Sequence, residues 1–450
     1  MSKESLYKYL IIAIISLGGI LRLTVFWVSP FNNSYDDHLE VIQFYSESFN
    51  LPAPFQCWEC YQPPLYYYTC AAVYKIAESL GVDKLTCWKM VQFINPFLSI
   101  ILIIIVYQIL LLFKMPKLSI AVTLSFIVIL PRDIFTSAMI GNDYMLVFFA
   151  ILSFYLFLKT LFALRNGINV WIWFILLILS ATLGSITKQH GLLIHLFSFS
   201  IFLVLCKKIY RKKLIFAIPI LLIAILLSIS NELWKFNQTG ELLVSNQHYF
   251  DYAKNQFPGS IDKVEFFSFR IFELYQEPFI SERTSASFFT ELFARTFYDY
   301  EWRFISPKIL WANTLGCLGY SLGLTWLFYF GIIVYSCIKD FKNSLFKLNW
   351  LTLFTKIPPI LLGFLFMLVP FIQTLRYPYF SSMKSMFMLS GIILLLITLG
   401  SQIKKSSLNQ QIGNYMIVLN IIYGIILVVS ISIYLGISLN HLNGPLWPIP

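Results

Sequence analysis

Residues 86–113, TCWKMVQFINPFLSIILIIIVYQILLLF, carry no charged side chain after Lys89. From Ile94 onward the run alone reaches the roughly 20 apolar residues that a helix needs to cross the hydrocarbon of a bilayer. Runs of this kind recur between short polar breaks. They predict spans at about 8–29, 86–113, 118–135, 144–164, 168–187, 190–206, 214–234, 309–337, 350–373, 379–399 and 413–437. Eleven helices follow, not barrel strands. The composition agrees, because 58% of the 450 residues are hydrophobic and only 12% charged, about half the charge density of a soluble domain. A soluble domain, a disordered chain and a disulfide scaffold are excluded. The fold class is an all-α polytopic membrane protein, one membrane-embedded domain over residues 1–450.

The net charge of +11 could suggest a polyanionic partner, but the position of each cation decides. Threading the chain through the spans puts Lys3, Lys8, Lys114, Lys117, Lys159, Arg165, Lys207, Lys208, Arg211, Lys212, Lys213, Lys339, Lys342, Lys347, Lys404 and Lys405 on one side, with only Glu4 and Asp340 against them. The positive-inside rule makes that side cytoplasmic, so the N-terminus is inside and the tail from about residue 438 outside. The basic balance is a topology signal, and no nucleic-acid partner follows from it. The first span is read as retained, since its apolar stretch is too long for a signal peptide.

Two long segments, 30–85 and 235–308, fall on the other side, and the function is expected there. The first is locally acidic; the second mixes charges, and its stretch Ser287–Arg295 reads either as an interfacial amphipathic helix or as ordinary lid packing. The first segment also holds Cys57-Trp58-Glu59-Cys60, on the oxidising side. A disulfide, between these two or with Cys70 or Cys87, is preferred to a metal site. A single CxxC falls short of a tetrahedral set unless His38 and Glu59 complete it, so a divalent metal ion stays a candidate cofactor.

Ionisable groups at the ends of membrane helices are costly, and they are functional candidates for that reason. Just past the first span comes Ser34-Tyr35-Asp36-Asp37-His38-Leu39-Glu40. Of two adjacent carboxylates, one facing a cleft could act as a general base, or both could simply belong to the first turn of a helix. The segment ends at Gln62-Pro63-Pro64-Leu65-Tyr66, where two prolines stop one element and a juxtamembrane helix begins. The third span emerges at Pro131-Arg132-Asp133, and Asn142-Asp143 opens the fourth, where capping competes with a site role. Thr187-Lys188-Gln189-His190-Gly191 is a very short outer connection whose cation could meet a phosphate or carboxylate, or merely snorkel. Arg376 and Lys384 place two more cations on that side.

In order and sidedness these motifs resemble the membrane glycosyltransferases of the GT-C superfamily, and most closely its family 39 group of protein mannosyltransferases and lipid A aminoarabinose transferases. The resemblance covers about the first 210 residues and, less fully, Arg376 to Lys384. It implies transfer of a sugar from a polyprenyl- or dolichyl-phosphate donor to a lipid, glycan or protein acceptor, at the outer face of a bacterial inner membrane or an endoplasmic reticulum membrane. Asp36 would be the base, with Asp37 beside it, and Asp143 would orient the acceptor or a cation. Lys188, with Arg376 or Lys384, would stabilise the phosphate, with Gln62 and His190 lining its site. Relatives with aminoarabinose activity carry Glu-Lys where this chain has Tyr61-Gln62, so a metal or phosphate contact expected there is missing or supplied by Glu59 and the two cysteines, Cys57 and Cys60. A lipid or solute transporter is the competing reading; it predicts ionisable residues near the bilayer midplane.

Overall fold

The computed structural model describes residues 3–208, 211–241, 244, 262–345, 350–377, 382–400 and 407–438. Among these the chain is helical, with no strand. Seven helices are long and apolar enough to cross a membrane: Ser5–Val28, Lys84–Leu112, Asp143–Arg165, Gln189–Cys206, Ala217–Thr239, Ile357–Arg376 and Gln411–Ile433. This is an integral membrane protein. The helix Ala312–Leu345 occupies the stretch expected at 309–337, and two shorter apolar helices, Trp171–Ser185 and Ser385–Gly400, answer to 168–187 and 379–399. Each of the eleven expected spans is therefore helical, although not every one has full membrane length. The expected C-terminal tail and residues 245–261 of the second long segment lie outside the described residues.

The expected span at 118–135 is broken in the middle. It is a pair, Lys117–Ile129 and Pro131–Ala138, bent by 49°. Pro131 has no amide hydrogen to continue the ladder and clashes with the turn before it, so the first helix ends and a new one starts on the proline. The second helix is packed inside the protein. All eight of its residues are buried, Arg132 and Asp133 included.

The core explains how a charged helix can sit there. Leu21 and Val25 of the first helix pack with Leu102, Leu124 and Val128 in one continuous apolar cluster. Arg22 on the same helix pairs with Asp133 and also donates to the carbonyls of Gly18, at 3.1 Å, and Val128, at 2.9 Å. Tyr144 donates to the other Asp133 oxygen at 2.9 Å and shares a 2.7 Å hydrogen bond with Ser99, whose hydroxyl also takes Arg22 Nε. A buried charge is tolerated only when paired and hydrogen-bonded, and this one is.

One end of the bundle, where Lys3–Val28 finishes and Asp143–Arg165 begins, gathers the long segments. The helix His38–Ser48 buries Val41, Ile42 and Tyr45 against Tyr66, Tyr67 and Trp88, so the first segment folds back as a packed layer. Leu65 N–H reaches the Ile186 carbonyl at 3.0 Å and ties that layer to the connection carrying Lys188. Gly191 lets the connection stay short, because a Cβ there would collide with the carbonyl of Gly184. The helix Phe288–Phe297 is buried at every residue but Phe289. Of the two readings of Ser287–Arg295, lid packing is the one observed.

Candidate active site

The turn before the helix His38–Ser48 places its side chains by local hydrogen bonds. Ser34 Oγ and His38 N–H both donate to the Asp36 carbonyl, at 2.8 and 2.9 Å, and Asn33 Nδ2 donates to the Arg303 carbonyl at 3.2 Å. Asp36 then points inward, and both its oxygens lie 2.8 Å from Lys384 Nζ. The pair is nearly closed to solvent, with the lysine side chain 6% and the carboxylate 14% exposed. Burial pushes the Asp36 carboxyl up; the ammonium of Lys384 by its charge and its hydrogen bond, with His38 and Lys188, pulls the other way, and the net direction is down. Asp37 takes the other course. It is exposed and caps the helix, accepting Glu40 N–H at 3.4 Å, so the two adjacent acids have different jobs.

A second ion pair stands in the same cluster. Lys188 Nζ meets Asp143 Oδ1 at 2.6 Å, with side-chain exposures of 7% and 3%. Asp143 is the first residue of its helix, but it is buried and its carboxylate meets Lys188 instead of capping the helix. Between the two pairs runs a polar chain: Asn142 Nδ2 donates to Gln62 Oε1 at 3.4 Å, and Gln62 Nε2 donates to Glu59 Oε2 at 2.9 Å and to the Tyr61 hydroxyl at 2.8 Å. Glu59 feels both halves. Burial, and then the charge of Asp36, push its carboxyl up to about 8, against the opposing pull of Lys188 and Lys384. His38 Nδ1 shares a 2.9 Å hydrogen bond with the Tyr67 hydroxyl, its ring lies against Gly141, and burial holds it down to about 4, so it is neutral at pH 7.

Several buried polar atoms in and around this cluster have no hydrogen-bond partner: Asp143 Oδ2, Asn142 Oδ1, His190 Nε2 and the hydroxyls of Ser382 and Ser385 on either side of Lys384. Buried polar groups are nearly always paired, so a set of orphans beside two ion pairs marks where a polar ligand can bind.

Of the residues expected at a site, Asp36, His38, Glu59, Gln62, Asp143, Lys188 and Lys384 are brought together. His190 borders them, two residues from Asp143's partner Lys188 and inside the turn closed by Gly191 N–H to the Lys188 carbonyl, 2.8 Å. Asp37 and Arg376 are not brought in. Arg376 ends the helix Trp350–Arg376 exposed, with its guanidinium 5.1 Å from the ring of Tyr377. The residues expected to hold a metal are engaged otherwise. Cys57 and Cys60 form a disulfide. Glu59 and His38 bond to Gln62 and Tyr67, and among the described residues no three His, Cys, Asp or Glu groups are placed to hold a metal ion.

Sequence reasoning missed Tyr35, Arg132 and Arg303 as members. Arg132 donates to the Tyr35 hydroxyl, Arg303 stacks 4.0 Å from the ring and donates to the Ser34 carbonyl, and Lys384 lies 5.4 Å from the same ring. Three cations around one tyrosine surround the turn that carries Asp36. A charged helix break at Pro131-Arg132-Asp133 was the available signal for Arg132; Arg303 lies 269 residues from its contact and carries no local motif.

Comparison with known sequences gives one match to a family model. It covers residues 66–249, in keeping with the resemblance read from the motifs. The matching family is described as dolichyl-phosphate-mannose-protein mannosyltransferase. Asp143, Lys188 and His190 fall inside the match; Asp36, Glu59 and Lys384 lie outside it. No curated protein matches the chain. Among solved structures, the Archaeoglobus fulgidus oligosaccharyltransferase in its apo form aligns at 13% identity and TM-score 0.49, over 97% of this chain and 59% of that one. The same organism's AglB with an inhibitory peptide and a dolichol-phosphate aligns at 14% and 0.49, over 94% and 56%. ArnT from Cupriavidus metallidurans, bound to undecaprenyl phosphate, aligns at 12% and 0.37, over 87% and 77%. The chain thus spans 59% of the length of the first of these.

Proposed function

We propose that the protein is a glycosyltransferase that moves a sugar from a polyprenyl- or dolichyl-phosphate donor to an acceptor hydroxyl. The convergence of the Asp36–Lys384 and Asp143–Lys188 pairs, buried side by side among unpartnered polar atoms at one end of a membrane bundle, carries this reading. The excess of cations on the opposite face supports a cytoplasmic N-terminus and a site on the extracytoplasmic side.

The acceptor oxygen attacks the anomeric carbon, the carbon–oxygen bond to the phosphate breaks, and its electron pair leaves with the phosphate. Asp36 takes the acceptor proton. Attack and departure on opposite faces invert that carbon. Lys188 and Lys384 supply positive charge for the departing phosphate, which gains charge as it leaves. Lys384 grips both oxygens of Asp36 and so depresses its basicity. A phosphate arriving beside Lys384 shares that ammonium and returns basicity to Asp36, so the base becomes effective when the donor is bound. Asp143 holds Lys188 and offers its free oxygen to the acceptor.

The test is transfer from polyprenyl-phosphate sugars by the purified protein in nanodiscs, beside Asp36→Asn, Asp143→Asn and Lys188→Ala. Loss of turnover in these variants is expected. Full activity in all three would remove the site assignment. For the transporter reading, the ionisable cluster would have to be reachable from both faces, which cysteine labelling measures.

A further inference from the structure

The proposed chemistry leaves Cys57-Trp58-Glu59-Cys60 without a role. Its two sulfurs are joined, and both cysteines are buried, while Cys70 and Cys87 stay free. Two side chains lie between the ends of this small ring, and each reaches a different half of the site. Trp58 donates its indole N–H to Asp36 Oδ1 at 3.4 Å, the oxygen that also takes Lys384. Glu59 accepts Gln62, and Gln62 accepts Asn142, the residue that precedes Asp143. One short loop therefore touches one ion pair and reaches, through Gln62, the residue before the other.

The loop is packed into the cluster of Tyr66, Tyr67 and Trp88, but its backbone is irregular. Its backbone makes turn hydrogen bonds, Cys60 N–H to the Cys57 carbonyl at 3.2 Å and Gln62 N–H to the Glu59 carbonyl at 3.1 Å, and no helical ladder. An irregular loop held by isolated turns keeps much of its conformational freedom unless a covalent bond removes it. The geometry at stake is tight: the indole bond to Asp36 is already long, and a further displacement would break it.

Resting on the glycosyltransferase reading, we propose that the Cys57–Cys60 disulfide is a positioning clamp, which holds Trp58 against Asp36 and Glu59, through Gln62 and Asn142, against the start of the Asp143 helix. Trp58 and Glu59 are positioning residues; the base remains Asp36. A donor on a carboxylate oxygen favours the charged form, so removing the indole N–H raises the pH at which Asp36 protonates.

The experiment uses the full chain in nanodiscs, with Trp58→Phe and the double variant C57S/C60S. The double variant is expected to lose about 10- to 100-fold in kcat, as a misplaced reacting group does, with donor KM nearly unchanged. Trp58→Phe keeps the ring and is expected to move the acid limb of the pH–rate profile upward, with a smaller loss. Hydrogen exchange without substrate supplies a readout independent of turnover: amides at 34–38, as well as those at 56–62, should exchange faster in the double variant. A double variant with wild-type kcat, pH profile and exchange at 34–38 overturns the clamp. If the double variant does not fold, a wild-type pH profile in Trp58→Phe overturns it instead. If the wild type transfers no sugar from any polyprenyl phosphate, the functional reading fails, and the exchange comparison still decides whether the bridge orders residues 34–38.

Discussion

Arg22 and Asp133 form an ion pair inside the bundle, and Asp143 and Lys188 form another at its end, ten residues further along the acidic partner's chain. The inner pair is closed. Arg22 spends its donors on Asp133, Ser99 and the carbonyls of Gly18 and Val128, and both Asp133 oxygens are taken. The end pair is open: Asp143 Oδ2, Asn142 Oδ1 and His190 Nε2 have no partner, and the neighbouring pair of Asp36 and Lys384 is flanked by two unpartnered serine hydroxyls. Burial and pairing alone therefore do not mark a site. The distinguishing property is polar capacity left over after pairing, which a purely structural network has no reason to keep.

If that distinction holds, charge removal at the open end should cost turnover and charge removal at the closed one should cost stability. The largest effect is expected for Asp36→Asn. A positioned general base contributes roughly 10²- to 10⁴-fold, so turnover of a polyprenyl-phosphate sugar should fall by about that factor in protein that unfolds like the wild type. Arg22→Met should behave in the opposite sense. It leaves Asp133 charged and unpaired in the interior, which costs about 3–5 kcal/mol, read as a lower unfolding temperature or a poor yield of folded protein. A folded, stable Arg22→Met with lost turnover would break the comparison.

The next expectation concerns the grip of Lys384 on Asp36. With the ammonium gone in Lys384→Met, burial is the main influence left on the carboxyl, and it acts upward. The acid limb of the pH–rate profile should move up by roughly 1–3 units, the effect that a close opposite charge has on an Asp. An unmoved limb would show that Asp36 is not the group that titrates.

These residues were unequally legible in the sequence. The helices were readable because an apolar run of membrane length has few other uses, and the charged groups at their ends stood out against so little charge. Asp36, Asp143, Lys188 and Lys384 were singled out for that reason. Their pairing was not readable. Asp36 and Lys384 are 348 residues apart, and nothing local distinguishes Lys384, which is drawn in, from Arg376, which is left exposed. The bend at Pro131 was hidden for a related reason. A proline followed by Arg and Asp looks like the end of a span, and only distant partners make it possible to bury them: Arg22 for Asp133, and Tyr35 with the Arg295 carbonyl for Arg132.

A smaller and slower change is expected from Glu59. Its carboxyl is neutral in the folded protein until about pH 8, raised by burial and then by Asp36, whereas an exposed Glu ionises near 4.5. A group whose folded value is raised lends stability that is complete below the unfolded value and is lost as pH rises through the folded one. The contribution of Glu59 to stability should therefore decline between about pH 4.5 and 8, and the difference between the wild type and Glu59→Gln should follow that decline. Unfolding temperatures at closely spaced pH values check it; identical slopes would place Glu59 in a more polar setting than its contacts indicate.

The smallest effect is the one next door to the largest. Asp37 shares its neighbour's chemistry and none of its surroundings: it is exposed, and its carboxylate caps the helix His38–Ser48 through Glu40 N–H. Removing an N-cap side chain costs about 1 kcal/mol of helix stability. Asp37→Ala should unfold at a slightly lower temperature and keep turnover close to wild type, because Val41, Ile42 and Tyr45 still anchor the helix against Tyr66, Tyr67 and Trp88. Turnover matching that of Asp36→Asn would mean that the two acids act as one unit, and the assignment of the base to Asp36 by its burial and its lysine would have to be given up.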